Sequence, residues 1–123
     1  FAWDTELKTS FLKNLKKELF LGKTSKMIIY IDIDKTICNA SDSQDYAQST
    51  PIFDRINKIN KLYEKGHTIV YWTARGTGSG IDWSEVTEKQ FIEWGVKYHE
   101  LKFGKPIYDL FIDDKNINSE TFF

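Results

Sequence analysis

The chain has a single cysteine, a single methionine, two prolines and almost no net charge. Each scarcity excludes something. One thiol, Cys38, cannot form an internal disulfide framework, and it suits a reducing cytoplasm, which is the expected compartment. Its expected role is that of a small packing residue. No run approaches the roughly 18 apolar residues of a membrane helix, and no charged segment followed by an apolar one opens the chain, so no membrane partner is expected. A formal net charge of -1 over 123 residues gives no overall attraction to nucleic acid, so none is expected as a partner. No internal repeat or low-complexity segment occurs. What remains is a chain 41% apolar and 15% aromatic, enough for one globular core.

The periodicity alternates between helix and strand. Residues 5–21 place Leu7, Phe11, Leu15 and Leu19 at steps of four against Lys8, Lys13, Lys16 and Lys17, an amphipathic helix that Gly22 is placed to end. Residues 1–26 therefore read as a helix and linker, distinct from the body at 27–123. The residues leave open whether this helix packs on its own domain, makes a dimer contact or ends a preceding domain. Met27-Ile-Ile-Tyr-Ile31 reads as a buried strand covered on both faces, in the manner of parallel sheets. Residues 37–50 are polar and turn-rich. Pro51 suits a first helical position, with Ile52, Ile56, Ile59 and Leu62 continuing to about Lys65. Thr68 to Trp72 is a second strand, Ser84 to Trp94 a second helix in this body, Lys97 to Leu101 a short strand and Tyr108 to Ile112 another. The expectation is a three-layer α/β domain with a central parallel sheet.

Several of these strands stop on polar residues. Asp32 and Asp34 follow the first, one residue apart, so their side chains point the same way with Ile33 opposite. Thr73 follows the second. Asp113 and Asp114 end the last, with Lys105 just before it. In open α/β sheets ligands bind beyond the carboxyl ends of the strands, and parallel strands would bring all these groups to one edge. Carboxylates from two strands make a hard oxygen site suited to Mg²⁺, and a lysine and a hydroxyl beside that ion would stabilise a phosphoryl group in transfer. Thr36 reads as a turn residue, His67 and His99 as structural. Arg75 is expected either to reach substrate or to make a surface ion pair. The Gly76, Gly78, Gly80 loop does not open a helix in G-x-G-x-x-G form and supports no dinucleotide site.

The order Asp-x-Asp-x-Thr, strand-ending Thr, Lys and Asp-Asp resembles the haloacid dehalogenase superfamily of phosphohydrolases. Tyr71-Trp-Thr-Ala-Arg-Gly76 and Phe103-Gly-Lys-Pro-Ile-Tyr-Asp-Leu-Phe-Ile-Asp-Asp-Lys115 are similar to small members without a cap domain, associated with bacterial capsule and surface-polysaccharide biosynthesis. The resemblance covers about residues 27–123. It implies a Rossmann-like fold and a phosphatase mechanism. Asp32 would be the nucleophile that forms an aspartyl-phosphate, and Asp34 the acid that protonates the leaving oxygen and then the base that activates water. Thr73 would bond a phosphoryl oxygen and Lys105 would neutralise charge. Mg²⁺ would be held by Asp32, the backbone carbonyl of Asp34 and Asp113, with Asp114 acting through water. The family often has glycine where this chain has Lys35.

The segments Ile37 to Thr50 and Arg75 to Lys105 are too short for a separate folded cap, so the site is expected to be open to a larger substrate or a neighbouring subunit. Tyr46, Trp72 and Trp83 could stack on a sugar, and family context points to a phosphorylated sugar or related metabolite as the small-molecule partner. Two other classes stay in view. A receiver-like phosphoacceptor domain predicts adjacent acids after the first strand and an Asp ending a middle strand, which this chain lacks. A catalytically silent metal-binding domain appended to another enzyme would account for the extra N-terminal helix.

Overall fold

The computed structural model describes residues 5–21, 25–40 and 45–123. Their element order is α1 (Thr5–Leu21), β1 (Ile28–Ile31), β2 (Cys38–Asn39), β3 (Thr50–Pro51), α2 (Phe53–Glu64), β4 (Thr68–Trp72), α3 (Ser84–Trp94), β5 (Glu100–Lys102) and α4 (Ser119–Phe122), with a 3₁₀ turn at Tyr46–Gln48. Three strands form a parallel sheet in the order β1-β4-β5, and β2 and β3 form a small antiparallel ribbon. The result is a mixed α/β fold. Gly22 and Ser41 to Gln44, expected as a helix stop and part of a polar excursion, lie outside the described residues.

The helices follow the apolar stripes. In α2 the buried positions are Ile56, Ile59 and Leu62, and in α3 they are Thr87, Gln90, Phe91 and Trp94, at spacings of three and four. Gly95 ends α3 in the left-handed region at φ 67, where a side chain would be strained. Leu19 of α1 joins the same core as Ile31, Ile33, Ile56, Ile69, Tyr71 and Phe91, and Phe20 packs near Phe122 of α4 at 6.4 Å between ring centroids. Among the described residues no helix is long and apolar enough to cross a membrane.

Three expectations need correction. Pro51 does not begin a helix; it pairs with Cys38 in the β2–β3 ribbon, and α2 starts at Phe53. The Ile52 N–H donates to the Ile37 carbonyl at 2.9 Å, which holds this stretch extended for one more residue. The short strand expected at Lys97 to Leu101 forms slightly later, at Glu100–Lys102. The larger departure is Tyr108 to Ile112, which forms no strand. Leu110 and Ile112 are 75% and 87% exposed, and β1 is left at the sheet edge with one face bare at Ile28 and Tyr30 rather than covered on both faces. β-Branched composition records a tendency to pair but does not choose the partner strand.

Candidate functional site

Parallel pairing builds one half of the expected site. β1 and β4 run in register with Ile31 beside Tyr71, so the chain leaves the two strands with Asp32, Ile33 and Asp34 alongside Trp72, Thr73 and Ala74. Ile33 is fully buried while Asp32 and Asp34 are partly exposed, which matches the alternation expected of them. A tight turn follows, in which the Thr36 and Ile37 N–H groups both donate to the Ile33 carbonyl at 3.1 and 2.9 Å. Lys35 in this turn has φ 62, the left-handed region that favours glycine. That backbone is the physical reason a glycine would suit the position. Thr36 has the turn role expected of it and also points its hydroxyl at Asp32 Oδ2, 3.4 Å away.

Lys105 reaches Asp32. Its Nζ lies 3.5 Å from Asp32 Oδ1, and its backbone N–H donates to the Thr73 carbonyl at 3.0 Å. Thr73 N–H in turn donates to the Lys102 carbonyl at 2.9 Å, so β4 and β5 jointly fix the lysine's root. Burial pushes the Asp32 carboxyl above the usual carboxylate range, opposed chiefly by the Lys105 charge. Thr73 itself is buried, and its Oγ1 accepts the Arg75 N–H at 3.1 Å.

Arg75 corrects one of the two alternatives the sequence allowed, the surface ion pair. It is not at the surface: its side chain is completely buried and pairs with Asp34. Nε donates to Asp34 Oδ2 and Nη2 to Oδ1, each at 2.9 Å, a two-pronged pair. Nη1 donates to Thr87 Oγ1 at 3.0 Å and Gln90 Oε1 at 2.7 Å, and Nη2 also faces Cys38 Sγ at 3.9 Å. The Tyr46 ring covers the guanidinium at 4.9 Å, and Gln90 Nε2 donates to the Tyr46 carbonyl at 2.6 Å. Thr87 and Gln90 join the site beyond the residues the sequence motifs point to, and the sequence carries a signal for them. They occupy the same helical face as Phe91 and Trp94, where polar side chains need a buried partner.

Cys38 is buried beside this pair, and burial followed by the Asp34 charge pushes its thiol up to about 12, consistent with a packing residue. His67 and His99 also have structural places. Each Nδ1 accepts a backbone N–H at 3.0 Å, from Met27 and Ile69 respectively. Of the aromatic residues, Tyr46 and Trp83 meet edge to face at 5.0 Å between centroids, and Trp72 meets Tyr30 in the same way at 6.1 Å.

Asp113 and Asp114 complete no metal-holding group with Asp32 and Asp34 among the described residues. They lie on the exposed segment after Tyr108, and hydrogen bonding with the Asp114 side chain holds the Asp113 carboxyl below its ordinary value. Among the described residues no group of three or more His, Cys, Asp or Glu side chains is placed to hold a metal ion. The expected ligand set is therefore partial. Asp32 meets Lys105 Nζ at 3.5 Å and the Thr36 hydroxyl at 3.4 Å and takes a backbone N–H from Ile33, and the carboxylate is still half-exposed, so it can serve as a hard donor; Mg²⁺ is commonly held by one or two carboxylates completed by water and substrate phosphate.

No protein-family model and no curated protein matches the chain. Among solved structures, the crystal structure of an MCSG target from Vibrio cholerae is similar, with a TM-score of 0.69 and 27% identity over 80% of this chain and 87% of that one. The likeness is one of fold, and the neighbour's name states no activity.

Proposed function

We propose that the chain is a Mg²⁺-dependent phosphomonoester hydrolase of the haloacid dehalogenase type, acting in the cytoplasm on a phosphorylated sugar or related metabolite of surface-polysaccharide biosynthesis. The observation that carries the chemistry is the division of labour between the two acids: Asp32 faces Lys105 at 3.5 Å, while Asp34 is gripped through both oxygens by Arg75. One acid is thereby left available and the other is oriented. The proposal takes the parallel sheet as the centre of a Rossmann-like, three-layer domain without a substantial cap. The substrate class rests on the motif resemblance alone.

In this reading Asp32 attacks phosphorus: an Asp32 oxygen–phosphorus bond forms as the bond to the leaving oxygen breaks, and Asp34 delivers a proton to that oxygen. Lys105 balances negative charge on the Asp32 carboxyl as it becomes an acyl phosphate. The Thr73 oxygen accepts from Arg75 N–H and keeps its own O–H to donate to a phosphoryl oxygen. Asp32 and the Asp34 backbone carbonyl would hold Mg²⁺, which supplies charge neutralisation on the transferring group. For Asp113 to join them, the exposed segment through residues 107–112 would pair along the free edge of β1. Asp114 would follow as a water-mediated contact.

The test is a panel of phosphate monoesters assayed with and without Mg²⁺, alongside Asp32→Asn. The expected result is metal-dependent turnover that the variant lacks. Full activity in Asp32→Asn, or no metal-dependent turnover on any ester, refutes the proposal.

A further inference from the structure

All five N–H groups of the Arg75 guanidinium have acceptors within the protein: two on Asp34, one on Thr87, one on Gln90 and the last facing Cys38 sulfur. None is left for a substrate phosphate. The residue therefore cannot act as a phosphate clamp without abandoning a buried bond. Its fixed, planar fork does something a lysine could not, because it sets the plane of the Asp34 carboxyl.

The contacts also distinguish the two Asp34 oxygens. Oδ1 accepts from Arg75 Nη2 at 2.9 Å and has the Cys38 sulfur 3.5 Å away, whose one S–H is shared with the Ile33 carbonyl at 3.6 Å, so Oδ1 is the more crowded of the two oxygens. Among the described residues Oδ2 accepts only from Arg75 Nε, at 2.9 Å. A carboxyl group has about four acceptor sites, so one remains on Oδ2. Resting on the phosphatase reading, we infer that Arg75 is a positioning residue, anchored to α3 through Thr87 and Gln90, which holds Asp34 so that Oδ2 is the oxygen that passes the proton to the leaving group. Oδ2 first takes up a proton from solvent at its remaining site; as the phosphorus–oxygen bond breaks, its electron pair goes to the leaving oxygen and takes that proton, and Asp34 returns to the carboxylate that the fork holds. The Tyr46 carbonyl on Gln90 and the Tyr46 ring over Arg75 tie the loop after β2 to the same anchor.

The consequence is a dependence on the leaving group. p-Nitrophenolate departs without a proton, whereas an alkoxide needs one. The ratio of kcat/KM for p-nitrophenyl phosphate to kcat/KM for an alkyl phosphate isolates this step, since kcat/KM does not include the later hydrolysis of the aspartyl-phosphate. Arg75→Lys keeps the positive charge and loses the fork. Its alkyl-ester kcat/KM is expected to fall by about 10²-fold, the lower end of what acid–base catalysis contributes, and the aryl-ester value by much less. Asp34→Asn should skew the ratio in the same direction. Thermal melts accompany both variants. Should Arg75→Lys not fold, Thr87→Val, which removes one anchor and keeps both Asp34 bonds, must give the same skew at smaller size. Equal losses on both esters overturn the inference and leave the phosphatase reading standing. No Mg²⁺-dependent turnover by the unaltered protein overturns both.

Discussion

The pair between Arg75 and Asp34 makes an unequal prediction about stability. Arg75 has no side-chain exposure and Asp34 retains 21%. Removing one partner of a buried ion pair costs about 3–5 kcal/mol because the other charge is left uncompensated. Asp34→Ala strands the guanidinium where no water reaches it, so the cost should be at least about 3 kcal/mol. Arg75→Met, of similar length and without charge, leaves Asp34 partly hydrated and deprives Thr87 and Gln90 of a donor, for about 2 kcal/mol in all. The double variant should resemble Arg75→Met alone, since a neutral side chain at 75 does not miss the carboxylate. Adding Arg75→Met to Asp34→Ala should therefore restore stability. At about 2.1 cal/mol/K per residue, a chain of 123 residues has an unfolding entropy near 0.26 kcal/mol/K, so 3 kcal/mol corresponds to about 12 °C in Tm. Thermal denaturation of the four proteins closes the cycle. A double variant that melts below Asp34→Ala, or an Asp34→Ala loss under about 4 °C, would refute the reasoning.

Three further outcomes follow from the same geometry. Lys35 at φ 62 pays a left-handed penalty that glycine escapes, so Lys35→Gly should melt above Lys35→Ala by about 1 kcal/mol, or about 4 °C; equal melts would mean the turn is not left-handed. The buried Cys38 thiol, pushed up to about 12, should resist iodoacetamide at pH 8 in the native protein and react after unfolding, as mass spectrometry would show. His67 is kept neutral by burial and then by the Lys26 charge, so its folded pKa lies below the ordinary value. The unfolded chain then binds a proton more readily, and stability present above about pH 6.5 should fall as pH drops below it, by at most about 1.4 kcal/mol per pH unit until the folded group also titrates. Urea titrations across that range should show the decline, flattened in His67→Asn.

What could be read from the residues depended on how local the controlling interaction is. The stripes of α1 and α3 and the β-branched run of β4 carry their own period, and each element lies where that period places it. The start of α2 did not follow its proline, because a strand pairing between Cys38 and Pro51 took hold first. At the site the same division applies. Asp32, Asp34 and Thr73 meet because two adjacent parallel strands in register must deliver them together, and the acid spacing already said which face they share. The partner of Arg75 lies 41 positions earlier in the chain and its anchors 12 and 15 later, so no local pattern distinguishes a buried fork from a surface charge. The polar positions within the apolar face of α3 were the nearest thing to a signal, since a buried threonine and glutamine require a partner and Arg75 is the donor-rich residue within reach.

Asp113 presents the opposite case. Its position depends wholly on whether residues 107–112 find a strand to pair with, and an apolar, β-branched segment pairs only where an edge is offered. The bare edge of β1 and the exposed side chains of Ile107, Leu110 and Ile112 are two unmet demands of the same kind. Binding of a cation at Asp32 would lower the cost of bringing a second carboxylate close, because like charges that repel in isolation are both attracted to the ion. Mg²⁺ should then protect the amides of residues 107–112 from hydrogen exchange in the unaltered protein and not in Asp32→Asn. Equal exchange with and without the ion would separate Asp113 from the site built by Asp32, Asp34 and Lys105.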